Sequence, residues 1–382
     1  MIYFDNAATT MVKPPQVAEA VANAIGSFGG PGRAAHAAAT TASLAVLGAR
    51  RAVARLFGAD DPRRVCFCSN ATEALNTAVF GLLREGDRAV TTAASHNSVL
   101  RPLYRAQSRL GCGLRVVSVA PDASVDLGEF ERACSQGVRL AVITHASNLT
   151  GDVYDVAWMA DVAHRHGATV VLDVAQTAGH VPVDMGALGA DVIAFTGHKG
   201  MFGPQGTGGL VLGPDVDVEP LKVGGTGVSS YDRDQPRSYP ERLEAGTLNA
   251  HGLAGLAAGV GFVLDVGVDA IGAHVASLTE RFLEGVARVA GVRVYGGSGG
   301  AGNCGVVALN LGDAPSSQVA DVLDERFGIC VRAGAHCAPL MHEALGTQGQ
   351  GAVRFSFSRF NTAEEVDRGV EALDEVARAL RG

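Results

Sequence analysis

Long runs of any one kind are missing from these 382 residues. No stretch of like charge exceeds two residues, and 31 basic against 39 acidic side chains leave a net charge of −8. The basic footprint of a nucleic-acid or anionic-membrane binder is therefore lacking. The longest apolar-rich stretch, Leu253 to Leu264, is too short and too rich in glycine for the roughly 20 residues that a bilayer span needs. The opening MIYFDN is acidic where a signal peptide is basic. Seven cysteines make an odd number, with neither a framework spacing nor a CxxC pair, which argues against a disulfide scaffold or a zinc site. Reduced thiols, no metal, a cytoplasmic location, and small molecules rather than nucleic acid or membrane as ligands are the expectation.

What is present is an α/β pattern. Hydrophobic residues make up 47% of the chain and glycines number 50, as suits a loop-rich globular protein. Short apolar runs at Val65–Cys68, Ala89–Thr92, Leu140–Thr144, Thr169–Asp173, Val192–Phe195 and Leu210–Leu212 alternate in part with helical periodicity, such as Val156 to His166. That order predicts a doubly wound, mainly parallel sheet whose strand ends form one polar rim. After about Leu253 longer helices alternate with strands at Val292–Tyr295, Gly305–Asn310, Ile329–Arg332 and Val353–Ser358, which reads as a smaller α+β layer. The expected division is a large domain over 12–250 and a small one built from 1–11 plus 251–382.

On the rim the sharpest candidate is Lys199, in DVIAFTGHKGMFGPQGTGG, delivered just past a buried strand and followed by a run of glycines. An amine shielded there loses its proton readily and becomes the nucleophile of Schiff-base chemistry. Asp173 ends the apolar run TVVLDVAQ, 26 residues upstream. A lysine and an acid at strand ends are what pyridoxal phosphate requires, the acid to keep its ring nitrogen protonated. Elsewhere two readings stand side by side. Ser69 to Glu73 suits either a phosphate at a helix N-terminus or an ordinary cap. His96 is a ring-stacking or proton-moving group, or a structural histidine. Arg33 and His36 are binding groups, or a solvated charge and a cap. Arg354 lies on the polar face of VRFSFSR, where its fork can grip a carboxylate or face solvent. Cys337, beside His336 and five residues from Arg332, is a reactive thiolate or an inert thiol.

Taken together, DNAATT at Asp5, GRAAH at Gly32, NATEA at Asn70, SHNS at Ser95, SNLTG at Ser147, DVAQ at Asp173, TGHKGMFGPQGTG at Thr196, EAGT at Glu244, RAGAHCAPLM at Arg332 and VRFSFSRFNTAEEVD at Val353 carry a resemblance over nearly the whole chain. It resembles the class V, fold-type I pyridoxal phosphate enzymes, most closely cysteine desulfurases of the SufS type. The resemblance implies that Lys199 holds the cofactor and shuttles a proton, that Asp173 faces its ring nitrogen, and that Gln176 and Asn148 hold its ring oxygen, with His96 stacked on the ring. Ala71, Thr72, Thr196 and His198 would bind the phosphate, joined by Thr247 from the other subunit of a homodimer. Arg354 would take the substrate carboxylate, with Ala8, His36, Asn148 and Arg332 on the substrate side. Cys337 would accept sulfur from L-cysteine, leaving L-alanine and a persulfide for an acceptor protein, as in iron–sulfur cluster assembly.

The chain departs from the family pattern at Ser95, where a Glu is usual, at Thr196 for Ser, at Ala335 for a second His, and in a loop one residue shorter after Cys337. The alternatives are a selenocysteine lyase acting on L-selenocysteine, another C–S lyase or aminotransferase of the class, and a non-catalytic sulfur-handling scaffold.

Overall fold

The computed structural model describes residues 1–32, 34–297 and 302–381. The chain opens with β1 (Ile2–Tyr3) and two helices, α1 (Pro15–Ser27) and α2 (Ala37–Leu56). The strands that follow are β2 (Val65–Cys68), β3 (Arg88–Thr92), β4 (Gly113–Val117), β5 (Leu140–Thr144), β6 (Thr169–Asp173), β7 (Val192–Thr196) and β8 (Gly208–Leu212). Between them lie α3 (Ala71–Leu82), α4 (Asn97–Leu110), α5 (Leu127–Cys134) and α6 (Val156–Arg165). Helices α7 (Ala250–Val266) and α8 (Val268–Val286) lead to β9 (Val292–Tyr295), β10 (Val306–Leu311), α9 (Ser316–Phe327), β11 (Ile329–Cys330), β12 (Arg332–Gly334), α10 (Pro339–Leu345), β13 (Ala352–Ser356) and α11 (Ala363–Arg381).

The large sheet has seven strands in the order β2-β8-β7-β6-β5-β3-β4, with β8 antiparallel to both its neighbours and the other pairs parallel. Strands β5 to β8 are buried throughout except at Thr169, the first residue of β6, as strands covered by helices on both faces must be. Their pairing register places Thr144 opposite Asp173 and Asp173 opposite Ala194. Three strand ends therefore line up, and Lys199 emerges three residues beyond the last of them.

Local chemistry starts each helix at that rim. The Asn70 side chain accepts from Glu73 N at 3.0 Å, and Glu73 accepts in return from Ser69 N at 2.9 Å, a reciprocal cap on α3. The His96 ring accepts from Ser98 N at 3.0 Å and so caps α4. The loops that follow β6 and β7 touch backbone to backbone, because a Cβ on Gly179 would lie 2.1 Å from Gly200 O and one on Gly200 would lie 2.4 Å from Ala178 O. Only glycine permits that approach, which holds the Asp173 loop against the Lys199 loop.

The second layer is an antiparallel sheet in the order β12-β13-β10-β9, with α8, α9 and α11 packed around a separate cluster that includes Phe282, Leu309, Phe355 and Leu373. Ile2 and Phe4 join this cluster, and β1 pairs with β11 in parallel. One sequence reading needs correcting. Ile329–Arg332 is not one strand: it divides at Val331, one half pairing with β1 and the other with β13. Helix α7 packs along α1 and α2, burying Leu253 and Leu256 in the cluster that also holds residues of the large sheet. Among the described residues no single helix is long and apolar enough to cross a membrane.

Candidate active site

A cavity of about 310 Å³ opens where the strand ends of the large sheet meet the N-terminal segment and the paired strands β12 and β13. That is the size of a small-molecule site. Asp173, Thr196, His198 and Lys199 line it from β6, β7 and the turn after them, Ala71 and Thr72 from the start of α3, and His96 from the cap of α4. Asn148 and Gln176 complete the large-domain side; Ala8, Arg332, His336 and Arg354 face them.

Burial sets the protonation of these groups. The Lys199 amine is pushed down to about 8 by burial, with the Arg354 charge adding to the effect and Asp173 opposing it. Asp173 is pushed up by burial, and the backbone N–H of Ala175, 3.0 Å from its Oδ1, only partly offsets this. A buried carboxylate of this kind calls for a cationic N–H partner. His96 and His198 are each held down to about 4 by burial and then by the Lys199 charge, and are neutral near pH 7. His336 falls to about 3, again by burial first and Arg354 second.

Arg354 is 1% exposed. Its Nη2 donates to Asp5 Oδ1 at 2.8 Å and its Nη1 to Asn148 O at 2.9 Å. Arg332 lies directly opposite it across the β12–β13 pair. Like charges so placed destabilise a sheet unless an anion offsets them; Asp5 supplies one carboxylate at Arg354, and both arginines line the cavity, where a ligand carboxylate can meet them. Asn148 also donates from Nδ2 to His336 O at 2.7 Å, tying the loop after β5 to the segment that carries Cys337.

Cys337 is exposed and follows His336 on a short turn in which both residues take positive φ, 49° and 56°. Non-glycine residues pay strain to sit there, and such turns concentrate at functional sites. His336 lines the cavity while the Cys337 backbone anchors α4, its carbonyl accepting from Asn97 N at 2.8 Å. The thiol thus stands on the outer side of the segment whose neighbour forms the cavity wall.

One residue lies away from where the sequence reading put it. His36 is exposed and caps α2, its Nδ1 accepting from Ala39 N at 3.3 Å, so this chain does not bring it to the cavity. Thr247, expected to serve the other subunit, lines a surface groove with Gly206 and Lys222. Gln176 lines the cavity, and its amide also donates to Ala7 O at 3.2 Å, holding the N-terminal segment in place. Arg33 lies outside the described residues. Asp5 is the residue that sequence reasoning left without a role, since nothing local to it signals a partner 349 residues away.

Comparison with known proteins follows from this geometry. The family model "Aminotransferase class-V" matches residues 2–368. A probable cysteine desulfurase of Methanothermobacter thermautotrophicus is 37% identical over 98% of this chain and 94% of the relative. The apo structure of a cysteine desulfurase from Thermococcus onnurineus NA1 matches with a TM-score of 0.93 and 34% identity, covering 99% of this chain and 95% of that one. The cysteine desulfurase CsdA of Escherichia coli matches at 0.88 and 29% identity, over 99% and 94% of the two chains.

Proposed function

The chain belongs to the class-V aminotransferase family, and from that premise we propose that it is a pyridoxal phosphate-dependent cysteine desulfurase, moving sulfur from L-cysteine to Cys337 and releasing L-alanine. The observation that carries the reading is the convergence of a desolvated Lys199 and a buried Asp173 on one cavity, with His336, the residue before Cys337, in its wall.

The lining suits the cofactor on its own chemistry. Thr196 Oγ1, His198 Nδ1 and Asn148 Oδ1 are buried cavity-lining atoms without a protein hydrogen-bond partner, and such atoms call for polar ligand groups. Lys199 would attach the cofactor, Asp173 would face its ring nitrogen, His96 would cover the ring, and Asn148 and Gln176 would flank its oxygen. Ala71, Thr72, Thr196 and His198 would receive the phosphate at the N-terminus of α3. When bound, pyridoxal phosphate supplies a sink for negative charge developing on the substrate's α carbon.

The remaining steps fall to side chains of this chain. Arg354, held by Asp5, receives the substrate carboxylate with Arg332 beside it. The Lys199 amine, partly deprotonated near neutral pH, moves the proton at the α carbon. The Cys337 thiolate attacks the substrate sulfur; the carbon–sulfur bond breaks, its electron pair stays with the carbon that is then protonated, and Cys337 becomes a persulfide. No external oxidant is consumed. We read Thr247 as a phosphate ligand given to the cavity of a second copy, since in its own chain it stands outside, which makes the working unit a homodimer. The short turn at Cys337 fits the SufS type.

Quantifying alanine released from L-cysteine by cofactor-loaded protein, with a neutral small thiol as final acceptor, tests this reading. Stoichiometric alanine that depends on Cys337 supports it; unchanged alanine from Cys337→Ala refutes the persulfide route.

A further inference from the structure

A basic stripe runs along α4 away from the cavity. Arg101, Arg105 and Arg109 are exposed, and their four-residue spacing keeps them on one face of the helix, about 6 Å apart along its axis. The helix carries no acidic residue of its own. Among the described residues no carboxylate pairs with any of the three, whereas Arg115 on the following strand is paired with Glu129. Like charges four residues apart weaken a helix, so helix stability does not account for them. Nor does overall composition, in a chain whose net charge is −8. Tyr104, between the first two arginines, is 43% exposed and offers the kind of aromatic surface common at protein contacts.

The stripe begins at the nucleophile. Asn97, the first residue of α4, donates its N–H to Cys337 O at 2.8 Å, and Arg101 stands one turn further on. The Arg101 charge also reaches His96, where it adds to the lowering that burial causes. A partner lying along α4 would therefore bring its own reactive group to the exposed thiol.

We propose that the exposed face of α4 is the docking surface for an acidic sulfur-acceptor protein, which lays a carboxylate-rich surface along Arg101, Arg105 and Arg109 and presents a thiol to Cys337. The inference rests on the desulfurase reading. In the transfer the acceptor thiolate attacks the outer sulfur of the Cys337 persulfide. The sulfur–sulfur bond breaks, Cys337 leaves as thiolate, and the acceptor carries the persulfide, so the step is redox-neutral overall.

Two synthetic peptides with one cysteine each, one flanked by glutamates and one by lysines, serve as probes, with persulfide on each followed by mass spectrometry. The variant is Arg105→Glu with Arg109→Glu, which leaves the cavity lining intact. At low salt the acidic peptide should accept sulfur about tenfold faster than the basic one. The advantage should fall away in the double variant and at high salt, while alanine release with a neutral small thiol stays the same in both proteins. Equal rates for the two peptides, or an advantage that survives the double substitution, overturn the docking surface and leave the reaction standing. Absence of alanine with the small thiol overturns the reaction itself, and the docking surface with it.

Discussion

The two sides of the cavity are built on opposite terms. The large-sheet side presents Asp173 and Thr196 from buried strands paired in register, and Lys199 from the turn just past the second of them. The side built on β12 and β13 presents Arg332 and Arg354, and next to them an exposed thiol on a turn with two left-handed residues. A group that must be held at fixed geometry in a dry site is well served by strand ends with helices on both faces. A group that must meet both a buried substrate and an external acceptor needs an address at the rim. The same molecule can therefore keep its proton chemistry sheltered while its sulfur stays accessible.

Breaking the sheltered side should have the largest effect. Lys199→Ala removes both the attachment point and the proton carrier, and alanine release should fall by about 10³-fold or more, with the visible absorbance of bound cofactor reduced in the same protein. Retention of near-normal turnover would show that another base serves. Breaking the exposed side is the sharper contrast: Cys337→Ala should cut cysteine desulfuration by about 10²-fold or more while leaving cofactor absorbance unchanged. A loss of both signals together would mean that the two sides are not separable.

A smaller effect is expected where the sides meet. Asp5→Asn keeps the shape but removes the charge beside Arg354, and should raise KM for L-cysteine about tenfold with kcat changed much less. A fall in kcat at constant KM would move Asp5 from substrate positioning into the chemistry. Arg354→Lys, which cannot reproduce the planar fork, should show the same KM signature.

The smallest effect concerns stability. Burial holds the Lys199 amine at about 8 against the usual 10.5. Below about 8 both folded and unfolded chains carry the proton, and the buried charge weakens the fold. Between these two values only the unfolded chain keeps it, so folded stability from this group rises with pH. Cofactor-free protein should therefore trail Lys199→Met in unfolding free energy from denaturant titration at pH 7, by an amount on the order of 1–3 kcal/mol. The gap should narrow as pH rises from 8 to 10. A gap independent of pH would contradict a desolvated amine.

The sheltered side was the more legible in the sequence, for physical reasons. Fully buried strands such as Val192–Thr196 announce themselves as continuous apolar runs, and the residues just past them fall on the rim by the rule of parallel sheets. Edge strand β4 was not marked by the same pattern, because GLRVV fully buries only its last residue and its apolar positions are interrupted by Gly113 and Arg115. Arg354 could be placed on the polar face of its strand by alternation alone, but not its bond to Asp5, which depends on the N-terminal segment crossing to β13. His36 shows the reverse: the resemblance assigned it to the substrate side, and within the chain it is a helix cap. The division at Val331 depended on which distant strand each half would find, which a single run of four residues does not encode.

Peptide mass spectrometry of cofactor-loaded protein, after brief exposure to L-cysteine and before any thiol is added, tests the central claim most directly. The account predicts one added sulfur on the peptide that contains Cys337, absent from Lys199→Ala. Sulfur found on another cysteine, or on none while alanine accumulates, would contradict it.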